Sequence, residues 1–208
     1  MEEKMKNLLV VALVLVMVSS AGATIISADA DGYSDDTDIS TAFDGMTLSS
    51  VGGYSGLDGL VYAWGDGLAS TGVSVFANNS SFERQWSAHI TETEGFALRA
   101  DFDQLANSVA IDIIGDDSSG DIGSLYAYNF GDVLLESVES DVLGYGEVFT
   151  AQINRSSFDI AYIIAGGAIS TEDTVHLDNL TANIPEPATL CLLGLGGLLL
   201  TRTRRMLY

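Results

Sequence analysis

Short runs in which every second residue is apolar constrain this chain most, because that spacing matches a β-strand with one buried face. In residues 96–102 the apolar side chains fall on one face, and Arg99 and Asp101 fall on the other. Residues 109–113 repeat this period of two. Further runs, separated by Gly, Asp, Ser and Asn, are residues 60–64, 73–77, 85–90, 124–130, 133–137, 148–153, 158–165 and 175–184. About ten such strands predict an all-β fold, an antiparallel β-sandwich of the jelly-roll kind.

The organisation of residues 24–184 indicates one sandwich domain. No part of it has sustained helical periodicity, and no linker is long enough to divide it. Residues 129–132, Asn-Phe-Gly-Asp, predict a hairpin turn between two strands. Residues 24–36 are rich in Asp, and we interpret them as a loose acidic leader or as the start of the sandwich.

The charge of the chain excludes one large class of partners. Its formal net charge is -21, and residues 24–184 contain 26 acids against three arginines. A surface this acidic repels phosphate backbones, so nucleic acid is excluded as a partner. The one cysteine, Cys191, lies in an apolar run near the end. The sandwich therefore has no disulfide framework, Cys-based zinc site or cysteine nucleophile.

Residues 1–23 have the three parts of a secretory signal peptide. Lys4 and Lys6 precede an apolar run of 11 residues at 8–18, and Ala21-Gly22-Ala23 forms a small-x-small cleavage site. We expect export through the Sec translocon, cleavage by signal peptidase and a mature chain that begins near Thr24. The alternative is an N-terminal membrane anchor, for which the run is short.

The C-terminal residues 185–208 form a second candidate targeting signal. Pro185, Glu186 and Pro187 precede 13 mostly apolar residues at 188–200, and a basic cluster follows at Arg202, Arg204 and Arg205. A helix of that length reaches roughly 20 Å, short of a hydrocarbon core of about 30 Å. The arginines would hold its end in the cytoplasm. The segment therefore predicts a transient tether to the inner membrane. The alternative is an ordinary tail anchor.

This order of parts closely resembles the PEP-CTERM sorting signal of Gram-negative bacteria. The resemblance rests on Pro185-Glu186-Pro187, the glycine-bearing apolar helix and the basic cluster, and residues 206–208 are a small departure from it. It implies recognition by an exosortase, a membrane transpeptidase that cuts at or near the Pro-Glu-Pro. The destination implied is the cell surface or the extracellular matrix.

Several segments of the body resemble secreted bacterial sandwich domains. Residues 37–48 resemble a first-strand motif of those domains, and residues 113–117, 125–128 and 177–180 look like later strands. The resemblance implies a jelly roll similar to carbohydrate-binding modules. In such domains the Asp of the last strand, here Asp178, often meets first-strand oxygens around a structural calcium. Asp178 is thus predicted as a calcium ligand, unless the acids only solubilise the surface.

The acids fall into local groups, but no spacing completes a known calcium loop. These groups are Asp29, Asp31, Asp35, Asp36 and Asp38; Asp101 and Asp103; Asp112, Asp116, Asp117 and Asp121; and Glu172, Asp173 and Asp178. Glycoside hydrolysis needs two carboxyls that face each other across a cleft, and nothing sets one pair apart. His89 and His176 lie in strand-like runs, and there is no Gly-x-Ser-x-Gly elbow for a triad.

Aromatic side chains leave one further possibility open. Tyr126 and Tyr128 share a strand face opposite Leu125 and Ala127, so one of these faces is a candidate sugar platform.

Taken together, the sequence predicts an exported, non-enzymatic surface or matrix protein with a structural or adhesive role in exopolysaccharide or biofilm. The alternatives are a carbohydrate-binding module and, less favoured, a secreted glycoside hydrolase. Polysaccharide is accordingly an expected partner, and no cofactor is expected apart from one structural Ca²⁺.

Overall fold

The computed structural model describes residues 22–53, 57–79, 85–87, 95–117, 120–168 and 174–186. The chain divides into two compact units, residues 25–184 and a second unit of residues 1–24 with 185–208. Most of the predicted signal peptide, the apolar segment 188–200 and the arginine cluster lie outside the described residues. Within the described ranges, the structure contains no helix with the length and apolar character that a membrane crossing needs.

Twelve strands and one 3₁₀ helix make up the described fold. The 3₁₀ helix is Ala30–Gly32, between the first two strands. The strands are β1 (Ala23–Ala28), β2 (Thr37–Asp38), β3 (Met46–Val51), β4 (Tyr62–Gly65), β5 (Ser74–Ala77), β6 (Ala97–Ala106), β7 (Ser108–Gly115), β8 (Gly123–Tyr128), β9 (Leu134–Glu139), β10 (Val148–Asn154), β11 (Ile160–Gly167) and β12 (Val175–Pro185).

These strands form two antiparallel sheets, which confirms the predicted β-sandwich. The seven-stranded sheet has the order β10-β7-β12-β5-β4-β2, and β1 also pairs with β12. The five-stranded sheet has the order β3-β6-β11-β8-β9. Strands β9 and β3 are therefore the two edges of the five-stranded sheet.

The core consists of the apolar positions that the period-two pattern singles out. Leu98 and Ala100 of β6, Ile111 and Ile113 of β7, and Leu125 of β8 are fully buried. Successive strand residues point to opposite faces, so Arg99 and Asp101 lie on the other face of β6. Each fully buried Leu or Ile stabilises the fold by roughly 1.5–3 kcal/mol.

The start of the sandwich differs from the expectation of a loose leader. Residues 23–28 form β1, and Ala28 and Ala30 have no exposed surface. The Asp29 carboxylate accepts the N–H of Asp31 at 2.9 Å, so the acids order this segment. Of residues 37–48, which resemble a first strand, only Thr37–Asp38 and the beginning of β3 are extended.

The predicted hairpin turn between β8 and β9 is confirmed. The N–H of Asn129 donates to the carbonyl of Val133, and that of Asp132 donates to the carbonyl of Asn129, both at 3.1 Å. The Asn129 side chain accepts the N–H groups of Gly131 and Val133. Asp132 has a φ of 57°, a left-handed conformation that Asp tolerates better than most residues.

Candidate functional site

The C-terminal motif begins inside the last strand. Asn183 of β12 bonds through its side-chain amide to Asn107, at 2.9 Å, and Ile184 belongs to the core. Pro185 is the last residue of β12. The N–H of Glu186 donates to the carbonyl of Gly22 at 2.9 Å. The first proline of the motif therefore lies in the strand itself, and Glu186 follows it directly. Pro187 lies outside the described residues.

Asp178, the predicted calcium ligand, is fully buried on β12. Its Oδ2 accepts the backbone N–H groups of Ser70 and Thr71, each at 3.0 Å, and contacts both of their hydroxyls. Its Oδ1 accepts the N–H of Asn179 at 2.8 Å. Burial raises the pKa of Asp178, and the hydrogen bonds from Thr71, Ser70 and Asn179 oppose that rise. The carboxylate thus holds the loop between β4 and β5.

Asp112 of β7 shares this loop contact. The Ser70 hydroxyl lies 2.8 Å from Oδ2 of Asp112 and 2.9 Å from Oδ2 of Asp178. A hydroxyl has one proton, so a single donor serves two acids here. Thr150 donates to the other oxygen of Asp112 at 2.6 Å. The Ser70 hydroxyl therefore joins this loop to β7 and β12. Thr150 joins β10 to Asp112 of β7.

Asp31 holds the next part of the same loop. Its Oδ1 accepts the N–H groups of Val73 at 2.6 Å and Ser74 at 2.9 Å. Gly72, between the two clasped segments, has a φ of +50°, and a Cβ there would overlap the Asp31 carboxylate. Glycine is required at this position for both reasons. We call Asp31, Asp112 and Asp178 with residues 70–74 the loop clasp.

A second acidic group lies at the end of β7. Carboxylate oxygens of Asp116, Asp117 and Asp121 lie within 4.8 Å of one another, close enough to share a metal ion. Asp121 is buried and accepts the N–H groups of Asp116 and Asp117 at 2.8 and 3.2 Å. The Thr174 hydroxyl donates to Asp116 at 2.7 Å. The group therefore closes a tight turn as well as concentrating negative charge.

The pKa of Asp116 shows what this concentration of charge does. Burial, and then the charge of Asp121 and a hydrogen bond with it, raise the pKa of Asp116 to about 7, against the lowering effect of Thr174. Two acids this close are difficult to ionise together, so the pair retains a proton near neutral pH. A bound cation would remove that constraint.

The outer face of the five-stranded sheet carries a row of stacked side chains. The rings of Tyr128 and Tyr162 are parallel, with centroids 4.9 Å apart. The guanidinium of Arg99 lies 3.8 Å from the ring centre of Tyr162. Strands β8 and β6 flank β11 on opposite sides, so Tyr128 and Arg99 cover opposite faces of that ring. We call these three residues the aromatic row.

Acids fix two members of the aromatic row, Arg99 at one end and Tyr162 at its centre. Arg99 makes a bidentate ion pair with Asp101, at 2.8 and 2.6 Å. The Tyr162 hydroxyl donates to Asp132 at 3.0 Å. Burial, and then the hydrogen bond and charge of Asp132, raise the pKa of Tyr162 to about 12. The ring of Tyr162 is therefore a structural element, and Tyr128 is the more exposed tyrosine of the row.

The remaining candidates from the sequence have less prominent positions. Leu125 and Ala127 belong to the core, so Tyr126 and Tyr128 lie on the opposite face of β8, where Tyr126 is buried and Tyr128 is half-buried. His176 is buried on β12, with its Nε2 3.7 Å from Asp66.

Ala23 begins β1, whereas Ala21, His89, Glu172 and Asp173 lie outside the described residues. The sequence pattern did not reveal the role of Ser70, since only the fold brings it to Asp112 and Asp178.

Comparisons with known proteins identify the end of the chain. The PEP-CTERM protein-sorting motif matches residues 183–205. No curated protein matches significantly. The K2 cleaved adhesin domain of Lys-gingipain has a TM-score of 0.45 and 10% sequence identity, over 76% of this chain and 99% of that one. A family 29 carbohydrate-binding module has a TM-score of 0.40 and 11% identity, over 79% and 91%.

These structural likenesses are too weak to bear on ligand or activity. The sequence motif is specific, and it coincides with the point where β12 ends. The chain is thus a β-sandwich that carries a PEP-CTERM protein-sorting motif at residues 183–205, the signal expected of an exosortase substrate.

Proposed function

We propose that this chain is an exported, non-enzymatic protein of the cell surface or extracellular matrix, with a structural or adhesive role in exopolysaccharide. The observation that carries the proposal is the sorting motif at residues 183–205. Sec translocon and signal peptidase export the chain, and its apolar segment then stays briefly in the inner membrane. The exosortase cuts at or near Pro-Glu-Pro and releases the sandwich.

The roles of three buried acids and one half-buried acid support a non-enzymatic sandwich. Asp31, Asp112 and Asp178 accept hydrogen bonds from a loop, and Asp121 accepts backbone N–H groups. Catalytic carboxyls instead face a cleft in which substrate can reach them. These four carboxylates accept hydrogen bonds from the protein itself, as expected of acids with a structural role.

A matched pair of variants in the host tests the sorting step. Glu186→Ala changes the Pro-Glu-Pro, and Thr203→Ala changes an uncharged residue of the basic tail, away from that tripeptide. We expect the Glu186 variant to accumulate as a membrane-bound precursor and the Thr203 variant to reach the surface like the wild type. Cell fractionation followed by blotting for the sandwich measures both. Equal surface delivery of the two variants would refute the proposed route.

Carbohydrate binding is the second candidate function, and the aromatic row favours it. Tyr128 is partly exposed at the end of a row that also presents Asp101 and Arg99. A tyrosine beside polar groups is a common contact for a sugar ring. A glycan array with wild type and Tyr128→Ala tests this candidate. Binding to a defined glycan that the variant loses would favour a carbohydrate-binding module over a purely structural role.

A further inference from the structure

Strand β9 leaves one edge of the five-stranded sheet open. In the described part of the chain, β9 pairs with β8 on one side and with no strand on the other. We propose that this edge binds an extended segment of a second polypeptide, one with basic and apolar side chains, by β-strand addition. We define the β9 edge as residues 130–139. The proposal is independent of the sorting route and of glycan binding.

The backbone of β9 offers hydrogen-bonding groups in a known register. The N–H of Ser140 donates to the carbonyl of Gly123 in β8 at 2.9 Å. Backbone N–H groups alternate in direction along a strand, so those of Val138 and Glu136 also point towards β8. The N–H groups of Ser137 and Glu139 therefore point away from β8, along the open edge. Both residues are exposed.

The side chains of the β9 edge are unusual for an edge strand. Phe130 and Val133, in the turn before β9, and Leu134, the first residue of the strand, expose 74%, 56% and 48% of their surface. Edge strands are commonly protected by charged side chains, above all Lys, by Pro, by bulges or by a covering loop, since open edges invite pairing. Glu136 and Glu139 give β9 only part of this protection. Residues 130–139 contain neither Lys nor Pro. Apolar side chains this exposed beside free strand groups fit an interaction surface.

The charge of the edge selects the kind of segment that would pair with it. The β9 edge contains three acids, Asp132, Glu136 and Glu139, and no Lys, Arg or His. The nearest described base is Arg155, 3.6 Å from Glu136, and Asp159 already holds it at 2.6 Å. The like charge of anionic lipid or of another acidic chain opposes binding here. A segment that alternates Lys or Arg with apolar residues complements both the acids and the exposed apolar side chains.

The edge is already ordered before any partner binds. The Asn129 side chain closes the hairpin with two hydrogen bonds to the backbone. The hydroxyl of Tyr162 then ties Asp132 to β11 at 3.0 Å. A strand held in this way loses little conformational freedom when a partner adds to it, which favours binding.

The experiment uses the exported protein purified from its host and two labelled peptides. One peptide alternates Lys and Val over about eight residues, a span that covers β9. The other has Glu in place of Lys. We expect fluorescence anisotropy to show binding of the Lys peptide, weakened by salt, and none of the Glu peptide. Ser137→Pro should weaken binding about tenfold, because it removes an outward N–H, whereas Ser137→Ala should change it less than about twofold.

Hydrogen exchange keeps the test decisive should Ser137→Pro fold poorly. In the wild type, the Lys peptide should slow exchange at the amides of Ser137 and Glu139, while that of Val138 is protected from the start. Absence of binding, equal binding of the Glu peptide, or unchanged exchange at these two amides would each overturn the proposal. Dimerisation of the free protein that Ser137→Pro abolishes would overturn it too, since the edge would then belong to a second copy.

Discussion

Tyr128 and Tyr162 stack in parallel on the outer face of the five-stranded sheet, with ring centroids 4.9 Å apart and planes inclined by 7°. They lie directly opposite each other on β8 and β11, so the stack joins two neighbouring strands. Cross-strand aromatic pairs add to sheet stability beyond the hydrogen bonds of the ladder. The stack is thus part of what holds the hairpin of β8 and β9 in place.

The stack predicts a graded loss of stability at Tyr162. Tyr162→Ala removes the ring and both of its contacts, so we expect the free energy of unfolding to fall by about 3 kcal/mol. Tyr162→Phe keeps the ring and removes only the hydrogen bond to Asp132, which should cost about 1 kcal/mol. Urea unfolding measures both values. Equal losses in the two variants would mean that the stack contributes nothing.

The loop clasp predicts that Gly72 tolerates no side chain. In Gly72→Ala the new Cβ meets the Asp31 carboxylate, and the φ of +50° is itself unfavourable for Ala. We expect a loss of about 2 kcal/mol or more. Gly67→Ala is the matched control, because a Cβ there meets nothing within 4 Å. Similar melting temperatures for the two variants would rule out the close contact between Gly72 and Asp31.

Asp178 allows a direct test of its two interpretations. If its role is to accept N–H groups from the loop, Asp178→Ala should lower stability by about 3 kcal/mol, with or without a chelator. We expect the wild type to melt at the same temperature with and without EGTA. Calcium at Asp178 stays a prediction of the sequence resemblance. A melting temperature that falls on chelation in the wild type, but not in Asp178→Ala, would support calcium and contradict our expectation.

Asp116 predicts a pH dependence of stability with a definite sign. Its pKa rises from 3.8 in the unfolded chain to about 7 in the folded protein, so the folded state binds more protons between these values. Stability from this group is complete below about pH 4 and is lost as the pH rises through about 7. Partial exposure and salt weaken the effect.

Asp116→Asn isolates that contribution. The amide keeps an acceptor for Thr174 and has no charge to repel Asp121. The stability of the variant relative to the wild type should therefore increase from pH 4 to pH 8. Thermal melts of both proteins across this range measure the difference. A difference that stays constant with pH would show that Asp116 ionises normally.

The period of two was most informative for strands with one buried and one more exposed face, such as β6 and β10. The runs at 148–153 and 175–184 differ from β10 and β12 by one residue at one end. β1 was not predicted as a strand, because its residues are mostly exposed and its partner, β12, lies at the other end of the chain. Short-range periodicity carries no information about such a pairing.

The candidate sites were predictable only in part, for the same reason. The motif at Pro185 and Glu186 is contiguous, so the sequence alone identifies it. The loop clasp joins Ser70 to Asp178 across 108 residues, and no local spacing reveals that contact. The acidic group at Asp116, Asp117 and Asp121 was visible as a local concentration of charge. The raised pKa of Asp116 depends on burial, which only the fold supplies.

The intact mass of the exported protein tests the central claim most directly. The apolar segment 188–200 is short for a permanent span. We propose that the exosortase cuts at or near Pro185-Glu186-Pro187 of the matched motif. We predict that the mature protein, purified from the surface or matrix of its host, begins near Thr24 and ends close to Pro187. A surface-located product whose mass still includes Tyr208 would contradict the sorting route and make the tail an anchor.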